Sequence, residues 1–95
     1  ALLWAPIAEA KPRRCASVEY TRESGYLVFG SSKITAQRVR CSRARALARP
    51  EPSEAKSRHY RRDGFTCRGT RKAGRSIDFV CTRRTMRVTF TWTQK

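Results

Sequence analysis

The residue types that most often carry out catalysis are few in this chain, and they are not grouped. His59 is the single histidine and lies in the polar, charged segment 57–63, where a lone histidine is usually a solvated side chain. The serines lack a G-x-S-x-G pattern, and no G-x-x-x-x-G-K-[ST] phosphate loop occurs. The carboxylates after residue 10 form no close pair, although distant strands could still bring two of them together. We therefore predict that the protein is not an enzyme and needs no cofactor; those carboxylates are Glu19, Glu23, Glu51, Glu54, Asp63 and Asp78.

The four cysteines could also do chemistry, and their spacing favours disulfides over a metal site. They are separated by 25, 25 and 13 residues, whereas zinc sites usually contain close pairs such as C-x2-C. The absence of C-x-x-C also argues against dithiol redox catalysis. An even number of cysteines in a chain this small favours two disulfides, with four reduced thiols as the alternative. No metal site is predicted, and the cysteines are Cys15, Cys41, Cys67 and Cys81.

Three pairings of these cysteines are conceivable, and the order of elements favours one. Cys41 begins the best helical pattern, and a strand returning antiparallel to that helix would bring Cys67 towards the helix start. This predicts Cys41–Cys67 and Cys15–Cys81. The next choice is Cys41–Cys81 with Cys15–Cys67, and a direct Cys67–Cys81 hairpin bridge is also open.

The strongest compositional feature is positive charge. The 95 residues contain 22 Lys and Arg against 7 Asp and Glu, a net charge of +15. Such an excess indicates affinity for nucleic acid, acidic lipid or an anionic wall polymer. Arginine outnumbers lysine 17 to 5 and asparagine is absent, a bias that codon usage in a GC-rich genome would also produce without selection for binding.

Two groups of arginines are candidates for anion binding. One lies on the predicted helix and the other in the polar segment after it, and guanidinium groups at such density suit bidentate capture of phosphate or carboxylate. The alternative is a solvated face whose arginine stems cover apolar surface. No RRM, zinc-finger or helix-turn-helix signature is present, so nucleic-acid binding would be non-specific and driven by the backbone phosphates. The candidates are Arg43, Arg45, Arg49, Arg58, Arg61 and Arg62.

The first ten residues, ALLWAPIAEA, differ from the rest of the chain. The apolar stretch is shorter than the ~20 residues that span a membrane, so no transmembrane segment is predicted. Ala8-Glu9-Ala10 has the small-x-small form of a signal-peptidase site. We predict that residues 1–10 are the end of a signal peptide and that residues 11–95 form one domain of net charge +16, since cleavage removes Glu9. The alternative is an N-terminal strand or helix packed on the core.

The apolar pattern along the chain predicts mostly strands. Met86–Trp92 alternates most clearly, and five further strands are predicted at 16–20, 26–29, 33–40, 65–68 and 76–82. Ser42–Arg49 is the best helix and ends before Pro50. Residues 50–62 are predicted as a loop or a frayed helix, and 70–74 as a hairpin loop. The expected fold is α+β: an antiparallel sheet of five to six strands with one main short helix, held by disulfides.

Four short motifs resemble a pattern in small secreted proteins of high-GC actinobacteria. They are Cys41-x-x-Ala44-Arg45, Gly64-Phe65-x-Cys67-Arg68, Val80-Cys81-x-Arg83 and Val88-x-Phe90. Those proteins often carry a cysteine soon after the signal peptide, as Cys15 does here, but their helix after the first motif is often longer. The resemblance implies export and an α+β fold, and it implies no reaction.

Two functions remain open from the sequence. The first is a small exported, non-catalytic module that binds anionic envelope polymers or acidic partners, outside the cell or in the envelope, as a monomer. The second is a secreted cationic effector that acts on membranes or nucleic acid. A membrane-active peptide needs an amphipathic helix with a broad apolar face, whereas strands and cysteines indicate a folded domain. The binding module is therefore preferred.

Overall fold

The structure, a computed structural model, describes residues 11–22 and 27–95. Within these residues the chain forms seven strands, and two short helices lie between the third strand and the fourth. The helices are α1 (Cys41–Leu47) and α2 (Pro52–Ser57). The strands are β1 (Arg13–Arg14), β2 (Val18–Arg22), β3 (Leu27–Gln37), β4 (His59–Arg62), β5 (Phe65–Ala73), β6 (Ser76–Arg83) and β7 (Met86–Gln94).

All strand pairs are antiparallel and belong to one sheet of order β1-β3-β7-β6-β5-β4. β2 also pairs with β3, along its first half at Leu27–Ser31, while β1 pairs with the end of β3 at Thr35 and Ala36. β3 therefore lies between β7 on one side and the two N-terminal strands on the other. This arrangement places residues 11–14 beside the turn that leads from β3 into α1.

The expected antiparallel sheet with disulfides is confirmed, and the finer predictions need correction. The sheet has seven described strands instead of five to six, and α2 joins α1 as a second short helix. Breaks predicted at 30–32 and 70–74 were wrong, because β3 continues through the first while paired to β2 and β7, and β5 continues to Ala73 while paired to β6. The sequence pattern did not predict β4, because Tyr60 is the only buried apolar residue among the four residues of this strand.

Both helices are formed by local sequence signals. On α1 the small apolar residues Ala44, Leu47 and Ala48 recur at helical spacing, and all three are fully buried. In α2 the side chains of Glu51 and Glu54 form a capping box, and Pro52 opens the helix. α2 ends at Arg58, whose left-handed backbone (φ 59°) turns the chain into β4.

One face of the sheet carries the core. Phe79 stacks on Phe90 at 5.3 Å between ring centroids and meets the edge of Tyr60 at 5.6 Å. A second aromatic group continues this layer, with Phe29 lying 5.6 Å from Tyr20 and 5.3 Å from Trp92. The opposite face presents mostly threonine, serine and arginine side chains and is only partly buried. We call this second surface the open face.

All four cysteines form disulfides, but the pairing differs from the preferred prediction. The bonds are Cys15–Cys41 and Cys67–Cys81, instead of Cys41–Cys67 and Cys15–Cys81. Cys67 and Cys81 lie directly opposite each other in the β5–β6 register, which is the hairpin bridge that the sequence left open. The prediction failed because β1 and the start of α1 both lie at the end of β3, where the Cα atoms of Cys15 and Cys41 are 5.5 Å apart.

Two predictions fall on residues that the structure does not describe. The signal-peptide segment 1–10 lies outside the described residues, and so does residue 26, the first of the strand predicted at 26–29. Within residues 11–22 and 27–95, neither helix has the length and apolar character needed to cross a membrane.

Candidate anion-binding surface

Positive charge greatly exceeds negative charge in the part of the chain that the structure describes. All 22 Lys and Arg lie there, with five of the 7 carboxylates, because Glu9 and Glu23 fall outside it; the difference is 22 − 5 = +17. Arg62 pairs with Glu54 and Lys95 pairs with Glu19, at 2.7 Å and 2.6 Å. Even if every described carboxylate paired with one cation, 17 cations would have no described carboxylate as a partner.

Five of these cations surround the turn between β3 and α1. Arg38, Arg40 and Arg43 line a hollow of about 450 Å³ together with Val39, Ser42 and Met86. A smaller hollow of about 200 Å³ adjoins it, sharing Arg38, Val39 and Arg40 and adding two cations from the N-terminal segment. We call this set the turn cluster: Lys11, Arg13, Arg38, Arg40 and Arg43.

The turn cluster follows from the local fold. Arg38 has a left-handed backbone (φ 64°) that ends β3, and Arg40 directly precedes α1. Arg43 is exposed because the buried face of α1 is occupied by Ala44 and Leu47. β1 pairs with the end of β3, so Arg13 lies beside the turn. Cations that are distant in sequence therefore share one surface.

Two of the predicted anion-binding arginines on the helical segment make contacts within the protein. Arg45 donates hydrogen bonds to the carbonyl oxygens of Ala16 and Ser17, at 3.1 Å and 3.2 Å. The guanidinium of Arg49 lies over the ring of Tyr20, 5.3 Å from its centroid, in the range of a cation–π contact. Arg43 is thus the member of the predicted helix group that lies in the turn cluster.

The predicted group after the helix is also divided. Arg62 donates to the carbonyl oxygens of Ala46 and Arg49 and to the carboxylate of Glu54. Its guanidinium also lies 5.1 Å from the Tyr60 ring centroid, so this side chain ties β4 to both helices. Arg61 projects from the open face, and Arg58 lines a separate groove.

That separate groove lies beside the β5–β6 hairpin and is also cationic. It has a volume of about 420 Å³, and its floor includes the buried side chains of Ile77 and Trp92. We call it the hairpin groove; its other lining residues are Lys56, Arg58, Arg71, Gly74, Arg75 and Gln94.

Arginines on the open face form a third cationic surface, and Arg61 is its one member among the anion-binding residues predicted from the sequence. Arg14, Arg61, Arg68 and Arg87 are exposed there, on four different strands. The alternation of apolar and polar residues in β7 places Arg87 on the polar face, so the position of this arginine can be predicted from the sequence. The others become neighbours only through strand pairing, which the sequence pattern does not specify.

Titratable groups that could do acid–base chemistry are scattered over the described residues. His59 is exposed on the edge strand β4, and Asp78 accepts a hydrogen bond from Thr91 at 2.7 Å. Burial raises the pKa of Tyr60 above its ordinary value, and its hydroxyl donates to the carbonyl oxygen of Leu47 at 2.6 Å. In residues 11–22 and 27–95, no three His, Cys, Asp or Glu side chains are grouped as metal ligands would be. Positively charged side chains are therefore the most extensive chemical feature on the surface of the described residues.

Comparison of the chain with known proteins finds no matching family model, no matching curated protein and no matching solved structure.

Proposed function

We propose that this protein is a small exported, non-catalytic domain that binds anionic polymers of the cell envelope. The turn cluster is the observation that carries the proposal, because its five cations line two adjoining hollows. None of the described carboxylates lines either hollow. Arginine forks held this close together can engage successive carboxylate, sulfate or phosphate groups of one polymer.

The disulfides support the extracellular part of the proposal. Both bonds join cysteines of one small domain, and such bonds persist mainly in secreted and periplasmic proteins. The resemblance to small secreted actinobacterial proteins points the same way. The disulfides and the resemblance therefore support export, and the cationic surface supports the binding of anions.

The proposed function can be tested by binding to model polyanions over a range of salt concentrations. The probes are fluorescently labelled polygalacturonate and polyphosphate, measured by anisotropy with the oxidised full chain. The test variant is Arg38→Glu/Arg40→Glu/Arg43→Glu. Its control is Arg71→Glu/Lys72→Glu/Arg75→Glu, which makes the same change in charge at exposed positions near the β5–β6 turn.

We expect the turn-cluster variant to lose about tenfold or more in affinity, because three charged contacts are reversed. Its affinity should also fall less steeply with salt, since fewer counterions are released on binding. The hairpin control should lose less than the test variant. Equal losses in both variants would show that net charge, without a particular surface, governs binding. No binding by the unmodified protein would overturn the proposed function itself.

A further inference from the structure

Strand pairing arranges the open face into rows that run across the sheet. In an antiparallel sheet, directly paired residues lie on the same face about 5 Å apart, and the next row lies about 7 Å along the strands. The first row runs through Arg61, Thr66, Thr82, Arg87 and Gln37. The second row, adjacent to it, runs through His59, Arg68, Val80, Thr89, Thr35 and Arg14.

These two rows carry four exposed arginines and no carboxylate. The second row crosses six strands from β4 to β1, a width of about 24 Å at the usual strand spacing, and the first row crosses five, from β4 to β3. Asp78 lies in the next row, where it accepts a hydrogen bond from Thr91. Glu19 lies further along the sheet and pairs with Lys95. The rows therefore form a strip of positive charge that is complementary to an extended anion.

Hydroxyl groups separate the arginines within the rows. Thr66 and Thr82 lie side by side between Arg61 and Arg87 in the first row. In the second row, the hydroxyls of Thr35 and Thr89 are hydrogen-bonded to each other. A threonine hydroxyl can donate one hydrogen bond and accept two, so each keeps capacity for a ligand. Apart from Val80 in the second row, the strip thus places neutral donors and acceptors between its arginines, as hydroxyls lie between the carboxylates of an acidic polysaccharide.

Phe, Tyr and Trp side chains are absent from the open face among the described residues, and His59, at the β4 edge of the second row, is its one described aromatic ring. The described Phe, Tyr and Trp rings are at most 5% exposed and contribute to the core: Tyr20, Phe29, Tyr60, Phe65, Phe79, Phe90 and Trp92. Surfaces that bind single-stranded nucleic acid usually stack bases on exposed aromatic side chains. Apart from His59 at its edge, the open face offers cations and hydroxyls instead, which favours a sugar polymer over a nucleic acid.

We propose that the two rows of the open face bind a linear acidic polysaccharide, with arginines engaging its carboxylates and threonines its hydroxyls. This inference rests on the anionic-polymer binding proposed above and narrows the ligand to a uronate-bearing chain. The polymer lies across the strands, along the rows. Its path ends near the turn cluster, because Gln37 of the first row directly precedes Arg38.

The first test measures labelled, size-defined oligogalacturonate binding to Arg61→Glu/Arg68→Glu/Arg87→Glu. The charge-matched control is again Arg71→Glu/Lys72→Glu/Arg75→Glu, and circular dichroism with thermal melting verifies that both variants fold. We expect about a tenfold greater loss in the open-face variant than in the control. A loss no greater than that of the control would overturn the inference. The proposed function would still stand if the turn-cluster variant lost affinity.

The second test separates sugar recognition from attraction to any polyanion. Thr66→Val/Thr82→Val removes two hydroxyls and keeps the β-branched shape that suits strands. We expect this variant to lose several-fold in affinity for oligogalacturonate and to keep its affinity for polyphosphate and for poly(dT). Equal effects on all three probes, or no effect on any, would overturn recognition of a polysaccharide. So would tighter binding of poly(dT) than of oligogalacturonate by the unmodified protein at equal salt.

Discussion

The indole N–H of Trp92 donates a hydrogen bond of 2.9 Å to the hydroxyl of Tyr20, which lies 72 positions earlier in the chain. That hydroxyl in turn donates to the carbonyl oxygen of Pro50 at 2.8 Å. Both side chains are buried, at 5% and 4% exposure. The two bonds therefore join the last strand, the strand β2 and the segment between the helices inside the core.

Replacing Tyr20 with Phe should destabilise the protein by about 1–3 kcal/mol, because the indole N–H and the Pro50 carbonyl both lose a buried partner. Urea unfolding monitored by circular dichroism measures this change. Trp92→Phe and the double variant complete a cycle in which the double variant should cost less than the sum of the single ones. Strict additivity would show that the Tyr20–Trp92 bond does not couple the two sites.

Tyr60 should make the protein sensitive to alkaline pH. Burial raises the pKa of Tyr60 above its ordinary value, so the folded state favours the neutral phenol. The resulting stabilisation is fully present below the unfolded pKa of about 10 and is lost as pH rises above it, by up to about 1.4 kcal/mol per pH unit. The unfolding free energy of Tyr60→Phe should lack this dependence on pH. This variant also loses the hydrogen bond to the carbonyl oxygen of Leu47. Parallel pH profiles of unfolding free energy for the two proteins, measured up to about pH 11, would contradict the assignment.

The two disulfides should stabilise different parts of the molecule. By the chain-entropy model, the Cys15–Cys41 bond, with a sequence separation of 26, contributes about 3.5 kcal/mol, and the Cys67–Cys81 bond, with a separation of 14, about 3 kcal/mol. Hydrogen exchange of the double-alanine variants distinguishes them. Loss of Cys15–Cys41 should accelerate exchange chiefly in residues 11–22 and α1, including the Cys15 amide that donates to Ile34.

Loss of Cys67–Cys81 should instead accelerate exchange throughout the sheet. Both of these cysteines are fully buried between β5 and β6, so alanines also leave a cavity in the core. Acceleration confined to residues 65–83 would contradict this expectation, since it would show that the hairpin opens independently of the other strands.

Arg62 should act on stability rather than on ligand binding. Its guanidinium donates to two carbonyl oxygens and to Glu54, so Arg62→Met should lower the free energy of unfolding by about 1–2 kcal/mol. Arg61→Met is the matched control on the neighbouring residue, which is exposed; its stability should change by less than about 0.5 kcal/mol. Affinity for polygalacturonate should fall more in Arg61→Met. The reverse order for affinity would return Arg62 to the candidate binding residues.

Local pattern alone determined several elements of this protein. The alternation of β7 predicted a strand and the side of the sheet on which Arg87 lies, because side chains on a strand alternate between faces. The spacing of Ala44, Leu47 and Ala48 predicted the buried side of α1, because residues three and four positions apart lie on the same side of a helix. The even number and wide spacing of the cysteines predicted disulfides. These features depend on residues that are near one another in sequence.

Tertiary structure decided which distant residues meet. Strand order brings Arg13 beside Arg38, and strand register places Arg61 and Arg87 in one row, three strands apart. The same order set the disulfide pairing, which depends on where β1 lies relative to α1. Arg43 is exposed, but three other arginines predicted to bind anions contact groups within the protein. The guanidiniums of Arg45 and Arg62 donate to carbonyl oxygens, and those of Arg49 and Arg62 lie over tyrosine rings. Sequence could not predict these roles, because a guanidinium binds any acceptor within reach and only the folded chain determines which acceptors those are.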